Sequence, residues 1–402
     1  MTITKFTALP AVLLLMAGCT TLAAIDETST PSANPQLERM LIATTRARSL
    51  NPGDLYSGER GARLDHAKVT VSIPPVHKAG TLEKPRFGAP STARHFTLHD
   101  RAYVDSEDAF KRAVNAELAA RPKENRDILL FVHGYNNDFR DSVLHFSQFA
   151  HDTGFAGARV LFSWASRGSP VEYFYDRESA TIARDGFERT LRLLAQTNVR
   201  KVHIMAHSMG NWVAMESLRQ LQISGNATLG GKVGEVILAS PDIDVDVFKS
   251  QMRRLGQPVK PYHLLISRDD RALSLSQRLS GNLPRVGNFS NDREIAQLGI
   301  IVYDATSVKS AGKLGHAKFA DAPQIVQLLG RRLSKGNVFA DNKPKLSDRL
   351  HSLGRNVGNI VVTTGEIVIH APETVLTRPE EIIAAPVEVL NKTVKGSKGF
   401  SN

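Results

Sequence analysis

The chain has 402 residues, of which 42% are hydrophobic and 23% are charged, and this balance excludes a wholly disordered chain. Its single cysteine excludes a disulfide framework, and no H-E-x-x-H, CxxC or EF-hand pattern occurs in it, so we expect neither a metal nor a cofactor. The formal net charge is +11, but lysine and arginine are scattered along the chain, so we expect no nucleic-acid partner.

The N-terminal segment combines a short charged start, an apolar stretch and a cysteine. Lys5 precedes the apolar run Ala8–Ala17, which is too short to span a membrane, and Gly18 and Cys19 follow. These residues resemble a bacterial lipoprotein signal peptide over residues 1–18, which implies that Cys19 is lipidated. An ordinary secretory signal is the alternative. Thr20 in place of aspartate implies, by the same resemblance, an anchor in the outer membrane that faces the periplasm.

One catalytic domain is expected after a small, polar tether at residues 19–38. Over residues 39–335, apolar runs alternate with helical patterns, which predicts an α/β fold with a mostly parallel central sheet and helices on both faces. The run over residues 127–132 is typical of a strand buried on both faces. The residues His133, Gly134 and Tyr135 follow that strand at once.

A candidate nucleophile stands between a short apolar run and the helical segment Asn211–Leu221. The stretch Ala206–Gly210 is a G-x-S-x-G pattern with alanine in place of the first glycine, and a serine on a sharp strand-to-helix turn needs such small neighbours. This turn would expose the Ser208 hydroxyl and direct the N–H of Met209 at a developing oxyanion. An ordinary loop is the alternative.

A serine nucleophile needs a base and an acid that orients the base. Two carboxylates, Asp269 and Asp270, follow a strand predicted over residues 262–267, and either can orient a histidine. We favour Asp270, although one of the two is expected to cap the helix that comes next. Two rival carboxylates stand at the end of an earlier strand, and they are Asp242 and Asp244.

The candidate base is His316. It lies in a short loop ahead of a helix predicted over residues 322–333, and no other histidine follows the acids until His351 and His370 in the tail. Along the chain, the nucleophile then comes first, the acid second and the base third, and this order supports His316 as the base. His207 flanks the nucleophile, and we expect its side chain to point away from Ser208.

These motifs together resemble a bacterial alpha/beta-hydrolase family whose function is unknown, within the esterase and lipase superfamily. The resemblance covers most of residues 39–335. The segments that carry it are Leu41–Arg46, Val69–Pro74, Phe131–Asn137, Leu161–Trp164, Tyr175–Ala180, Ala206–Asn211 and Ser267–Leu273.

The resemblance implies a serine hydrolase that cleaves carboxylic esters with the triad Ser208, Asp270 and His316. It also implies an oxyanion hole formed by the backbone N–H groups of Tyr135 and Met209. The expected partners are a small-molecule or lipid ester substrate and, through lipidated Cys19, a membrane. An amidase or acyltransferase would use the same triad, and a non-catalytic envelope lipoprotein that keeps the scaffold for binding is the competing class.

The sequence changes character from Gly336 onward. Apolar residues recur at four-three spacing over residues 346–360, which indicates one helical face. Gly354 and Gly358, and the β-branched run that begins at Ile360, oppose a helix. We therefore expect residues 336–402 to form a tail that is partly disordered or associates with a surface.

Overall fold

The computed structural model describes residues 36–312, 314–334, 359–364 and 367–372. The predicted signal peptide and the lipidation residue Cys19 lie outside the described residues. Within the described ranges, no helix has both the length and the apolar character needed to cross a membrane.

Strands and helices largely alternate along the described part of the chain. The strands are β1 (Gln36–Arg48), β2 (Tyr56–Ile73), β3 (Thr97–Tyr103), β4 (Ile128–Val132), β5 (Ala158–Ser163), β6 (Val202–His207), β7 (Val233–Ala239), β8 (Tyr262–Ile266), β9 (Ile300–Asp304), β10 (Asn359–Thr364) and β11 (Ile367–Pro372). The helices are α1 (Glu107–Ala119), α2 (Phe139–Asp152), α3 (Tyr173–Ala195), α4 (Gly210–Ile223), α5 (Val245–Leu255), α6 (Arg271–Leu279), α7 (Asp292–Ala296), α8 (Lys318–Asp321) and α9 (Pro323–Ser334).

The strands of the described residues form one sheet in the order β10-β11-β9-β8-β7-β6-β4-β5-β1-β2-β3. Six of its ten neighbouring pairs are parallel, and they join β9, β8, β7, β6, β4, β5 and β1 in turn. The antiparallel pairs lie at the two edges. The predicted α/β fold with a mostly parallel sheet is confirmed. Because parallel strands end at one edge of the sheet, the loops after β4, β6, β8 and β9 meet there.

Helices cover both faces of the sheet. On one face, Leu129 and Phe131 of β4 belong to a buried cluster that includes residues of α2 and α9. On the other face, Ile128, Leu130 and Val132 belong to a cluster that includes residues of α1, α3 and α4. Alternate residues of a strand point to opposite faces, so β4 needs apolar side chains at every position, and all five are buried.

The sheet extends beyond residue 335, where the sequence placed the end of the catalytic domain. Strand β11 pairs with β9, and β10 pairs with β11, both antiparallel. Ile367, Ile369 and Ala371 are buried. These β-branched segments of the predicted tail are therefore part of the sheet, because pairing with β9 satisfies their backbone groups and buries alternate side chains. Most of the predicted helical face, at residues 346–358, lies outside the described residues.

Candidate active site

Ser208 occupies a tight turn between β6 and α4, as the sequence predicts. Its φ is 53°, a left-handed conformation that costs a non-glycine residue about 1–3 kcal/mol. Its backbone is held on both sides. The Ser208 N–H donates to the carbonyl of Ala239 at 3.0 Å, and its carbonyl accepts from the Asn211 side-chain amide at 2.9 Å and from the Asp242 N–H at 3.2 Å. These bonds fix the strained turn that presents the hydroxyl.

The turn also requires two glycines. A Cβ added to Gly210 would lie 2.4 Å from the carbonyl oxygen of His133. A Cβ added to Gly134 would lie 2.8 Å from the Cβ of Ser208. Both distances are below any normal contact between these atoms, so the loop after β4 and the turn after β6 can approach this closely only without side chains. Gly210 belongs to the motif around Ser208 that the sequence shows, and Gly134 lies in the loop after β4, which approaches that motif.

His316 and Asp270 form a close pair at the same edge of the sheet. The His316 Nδ1 lies 2.7 Å from the Asp270 Oδ2, and the Asp270 side chain is completely buried while that of His316 is 18% exposed. The other carboxylate oxygen of Asp270 accepts from the N–H of Leu273 at 3.0 Å and so caps α6. Asp270 therefore both caps the helix and holds the histidine, two roles that the sequence had left to either aspartate.

Asp269 is committed to a different partner. Its carboxylate accepts from the Lys318 Nζ at 2.8 and 3.0 Å and from the hydroxyl of Ser267. Although partial burial raises the pKa of Asp269, the hydrogen bonds from Lys318 and Ser267 outweigh it and hold the pKa below its ordinary value. Asp269 thus anchors the first residue of α8, two residues after His316.

The two rival carboxylates do not contact His316. Asp242 accepts from the hydroxyl of Ser276 at 2.5 Å and from that of Tyr173 at 3.2 Å. Asp244 accepts from backbone N–H groups at the start of α5, which it caps. Both therefore stabilise loops and helix ends around the site.

His207 supports the loop that carries His316. Its Nε2–H donates to the carbonyl of His316 at 3.2 Å, and the two rings lie 4.7 Å apart. Burial, reinforced by the nearby His316, holds the pKa of His207 well below its ordinary value, so the ring is neutral at neutral pH. Among the described residues, no hydrogen bond joins the hydroxyl of Ser208 to His316. Such bonds are often long in enzymes without substrate and shorten in the complex.

The predicted oxyanion donors are unengaged. Within the described ranges, no acceptor takes the backbone N–H of Tyr135 or that of Met209. The Tyr135 hydroxyl donates to the carbonyl of Pro170 and so ties this loop to the segment before α3. Unengaged backbone N–H groups near a nucleophile are the kind of donor that can stabilise a tetrahedral oxyanion.

His133 holds the loop after β4 from inside the protein. Its ring stacks on Trp164 at 4.9 Å, and its Nδ1–H donates to the carbonyl of Gly134 at 2.8 Å. Its Nε2 accepts from the backbone N–H of Trp164 at 3.1 Å. Burial, with a smaller contribution from the charge of Arg46, lowers the pKa of His133 to about 3. His133 is therefore a neutral structural residue and not a base.

Arg46 is a further residue of the site that sequence reasoning did not single out. It is almost completely buried on β1, and its guanidinium donates to the Asn137 carbonyl at 2.8 Å, the Ser166 carbonyl at 2.7 Å and the Ser163 hydroxyl at 2.8 Å. Burial lowers the pKa of Arg46 to about 10, so it stays charged at neutral pH. The only signal in the sequence was a charged residue directly after the apolar and small run Leu41–Thr45.

Asp176 holds the same loop from the side of α3. Its carboxylate accepts from the N–H of Asn136 at 3.2 Å, from the Ser166 hydroxyl at 2.6 Å and from the N–H of Arg167 at 3.0 Å. Asn136 has a φ of 58°, so its conformation is strained. Burial raises the pKa of Asp176, and these hydrogen bonds work against that rise. Arg46 and Asp176 together fix the loop that carries the N–H of Tyr135.

One group of side chains within the described residues is close enough to share a metal ion. It consists of His77, His151 and Asp152, whose ligand atoms lie within 4.8 Å of one another. The two ring nitrogens of His77 are already paired, with Asp152 at 2.7 Å and with Glu83 at 2.8 Å. Burial opposes the charge on this ring, but the two carboxylates raise the pKa of His77 above its ordinary value. The cluster therefore fastens the loop after β2 to α2 as an ion-pair network.

Comparison with known proteins identifies the family. The model of an alpha/beta hydrolase family of unknown function, DUF900, matches residues 106–332, and no curated protein matches the chain. Among solved structures, an inhibited esterase B from Lactobacillus rhamnosis is 11% identical, with 77% of this chain and 90% of that chain covered and a TM-score of 0.32, a likeness too weak to bear on activity. The family resemblance read from the motifs is confirmed. Since the family match spans more than half of the chain, the protein belongs to the alpha/beta hydrolase family DUF900.

Proposed function

We propose that the protein is a serine hydrolase that cleaves carboxylic esters through an acyl-enzyme. The observation that carries the proposal is the 2.7 Å contact between His316 and the buried Asp270, at the edge of the sheet where the strained Ser208 turn lies. A histidine whose Nδ1–H donates to a carboxylate has a free Nε2, which can accept a proton. The unengaged N–H groups of Tyr135 and Met209 support the same chemistry.

The proposed reaction has two steps. In the first, His316 accepts the hydroxyl proton while the Ser208 oxygen attacks the ester carbon, and the N–H groups of Tyr135 and Met209 donate to the oxyanion. The bond to the alcohol then breaks as His316 gives its proton to the leaving oxygen. In the second step, water attacks the acyl-enzyme and passes a proton to His316, which returns it to Ser208 as the carboxylic acid leaves. Asp270 orients the imidazole throughout.

A fluorophosphonate probe tests the proposal, because it reacts covalently only with an activated serine. We expect labelling of the wild type and none of Ser208→Ala, which also loses activity on short p-nitrophenyl esters while its circular dichroism is unchanged. Ser240→Ala is a matched control, since Ser240 is also buried, with a φ of 45°, at the end of β7. Absence of labelling in the folded wild type would favour a binding scaffold without catalysis.

We also propose that the protein is anchored in the bacterial envelope, in the outer membrane facing the periplasm, through lipidated Cys19. The support is the sequence from Lys5 to Cys19, since Cys19 lies outside the described residues. Several acyl chains on one residue would give stable anchoring, because each buried methylene contributes about 0.8 kcal/mol. In a Gram-negative host, we expect labelled palmitate in the wild type and none in Cys19→Ser. A wild type that is soluble and unlabelled would refute the anchor and leave the proposed triad untouched.

A further inference from the structure

Direct contacts join three segments that neighbour the candidate site. Residues 170–174 lead into α3, and the hydroxyl of Tyr173 lies 2.8 Å from that of Ser276 on α6. At the start of α6, the N–H of Arg271 donates to the carbonyl of Leu314 at 3.0 Å, in the loop that carries His316. The start of α3, the helix α6 and the His316 loop are therefore in direct contact, and Asp242, whose N–H donates to the Ser208 carbonyl, also accepts from the hydroxyls of Tyr173 and Ser276.

Exposed apolar side chains are concentrated at these three segments. Of the thirteen large apolar side chains that are exposed among the described residues, five lie on these three segments and a sixth, Leu283, lies four residues after the end of α6, so the concentration is local and not a scatter of single residues. Val171 is 85% exposed and Phe174 is 62% exposed. We call the six residues the apolar rim, and they are Val171, Phe174, Leu275, Leu279, Leu283 and Leu314.

Unpaired arginines lie between the apolar residues of α6. Arg271, Leu275, Arg278 and Leu279 are spaced so that all four share one face of the helix, opposite the buried Leu273. Neither guanidinium has a carboxylate partner in the part of the chain that the structure describes. A face that mixes apolar side chains with free positive charge is complementary to an anionic lipid layer, because such a layer has negatively charged headgroups above an apolar interior.

We propose that the apolar rim docks on an anionic lipid layer, and that Ser208 acts on esters of long acyl chains drawn from that layer. The choice of substrate rests on the proposed function, whereas the docking does not. Ser208 is only 3% exposed, so a substrate must pass between the surrounding segments to reach it. When these segments rest on lipid, an acyl chain can move toward the serine without contact with water.

Vesicle binding tests the docking without any need for turnover. Every protein is the full chain with Cys19→Ser and Ser208→Ala, so that neither an acyl anchor nor hydrolysis contributes. We expect cosedimentation with phosphatidylglycerol vesicles and much weaker binding to phosphatidylcholine vesicles. The double variant Phe174→Glu with Leu275→Glu should bind phosphatidylglycerol about tenfold or more weakly. Arg271→Gln with Arg278→Gln should weaken it by a similar factor and reduce its dependence on salt.

Matched controls separate the apolar rim from general effects of charge. Ile223→Glu introduces one glutamate at a half-exposed residue that ends α4, about 20 Å along that helix from the Ser208 turn. Arg253→Gln with Arg254→Gln removes two exposed charges from the end of α5. We expect these controls to bind like the parent protein. Equal losses in the controls and the rim variants would overturn the proposal.

Failure of the parent protein to bind vesicles would also overturn it, and two further measurements would then identify another occupant. A dimer that Phe174→Glu dissociates would show that a second copy covers the rim. Binding that appears only when the chain ends at residue 372 would show that the C-terminal segment covers it.

Activity distinguishes failure of the docking from failure of the proposed chemistry. With Ser208 intact, the ratio of turnover on a vesicle-embedded long-chain ester to turnover on a soluble short ester should fall about tenfold in the double variant Phe174→Glu with Leu275→Glu. An unchanged ratio would overturn the lipid substrate while soluble turnover upheld the serine hydrolase. Vesicle binding without any turnover would refute the proposed function and leave the docking intact.

Discussion

Asp270 accepts hydrogen bonds from two parts of the molecule, His316 and the first turn of α6. Asparagine at this position is also a good helix cap, so Asp270→Asn should unfold at nearly the wild-type temperature. It cannot support an imidazolium, and we expect kcat on a soluble ester to fall by about 10⁴, as the same change does in the Ser-His-Asp template.

Asp269→Asn is the control for this prediction. It weakens the contact with Lys318 but leaves the pair of Asp270 and His316 in place, so we expect kcat to fall by less than about tenfold. Steady-state kinetics and thermal melting of the two variants check the ranking. A larger loss of kcat in Asp269→Asn would move the orienting role to Asp269.

Arg46 contacts the loop after β4 and is almost completely buried. Arg46→Met leaves the carbonyls of Asn137 and Ser166 without this donor, and each unsatisfied buried group costs about 1–3 kcal/mol of folding stability. An oxyanion donor matters mainly in the transition state, so we expect kcat to fall by about 10² with KM little changed.

A second variant, Asp176→Asn, tests whether Arg46 acts by holding the loop after β4 in position. Asp176→Asn keeps one acceptor toward Ser166 or the N–H of Asn136, so it should show the same split between kcat and KM with a smaller loss. If Arg46→Met raised KM and left kcat unchanged, a role in positioning the oxyanion donors would be excluded. Urea denaturation gives the stability change separately.

At the scale of elements, Glu235 joins β7 to β8 and α9. Its buried carboxylate accepts from the His263 Nε2 at 3.0 Å, the Lys260 Nζ at 2.9 Å and the Arg332 Nε at 3.0 Å. Glu235→Gln removes the negative charge that these cationic side chains contact, and we expect a loss of about 3–5 kcal/mol in the free energy of unfolding. The exposed Glu178→Gln should change it by less than about 0.5 kcal/mol, and equal effects of the two variants in urea would contradict the prediction.

The same cluster predicts how stability depends on pH. Burial alone would raise the pKa of Glu235, but the contacts with His263, Arg332 and Lys260 hold it far below its ordinary value. A carboxyl with a lowered pKa contributes its full stability above its unfolded value of about 4.3, and the contribution is lost as the pH falls toward the folded value. Wild-type unfolding free energy should therefore decline below about pH 4 more steeply than that of Glu235→Gln. Parallel pH profiles would contradict this.

Elements whose patterns are local were predictable from the sequence. The buried run of β4 and the small residues around Ser208 each follow from sterics within a few neighbours, and the structure has a strand and a tight turn there. The choice between Asp269 and Asp270 was harder, because adjacent residues follow the same strand and differ only in the direction of their side chains.

Features that depend on distant contacts were not predictable. Arg46 meets residues of the loops after β4 and β5 that stand about ninety or more positions away along the chain, and no local pattern records this approach. Strands β10 and β11 were ambiguous because the glycines at residues 354 and 358 and the β-branched runs also suit an irregular tail. These residues form strands because β9 has an unpaired edge with which β11 pairs.

At the scale of the whole molecule, β11 closes the edge of the parallel sheet. A chain that ends at residue 358 would leave β9 unpaired on that side and remove the buried Ile367 and Ile369. We expect this variant to unfold at a lower temperature and to form concentration-dependent oligomers through the open edge. Sedimentation velocity and thermal melting check this. A monomeric variant with wild-type melting would show that β9 needs no covering strand.

The position of β11 in the sheet also sets an order of events during synthesis. Residues 36–334 supply the elements that carry Ser208, Asp270 and His316, yet β9 receives its outer neighbour only after residue 370 has been made. Until then, one side of β9 is unpaired in the nascent chain, although the residues of the candidate site have already been made. A growing chain with an open strand can join another copy of itself. The protein is therefore most exposed to misassembly just before β11 arrives, and a chaperone that shields β9 would be most useful at that moment.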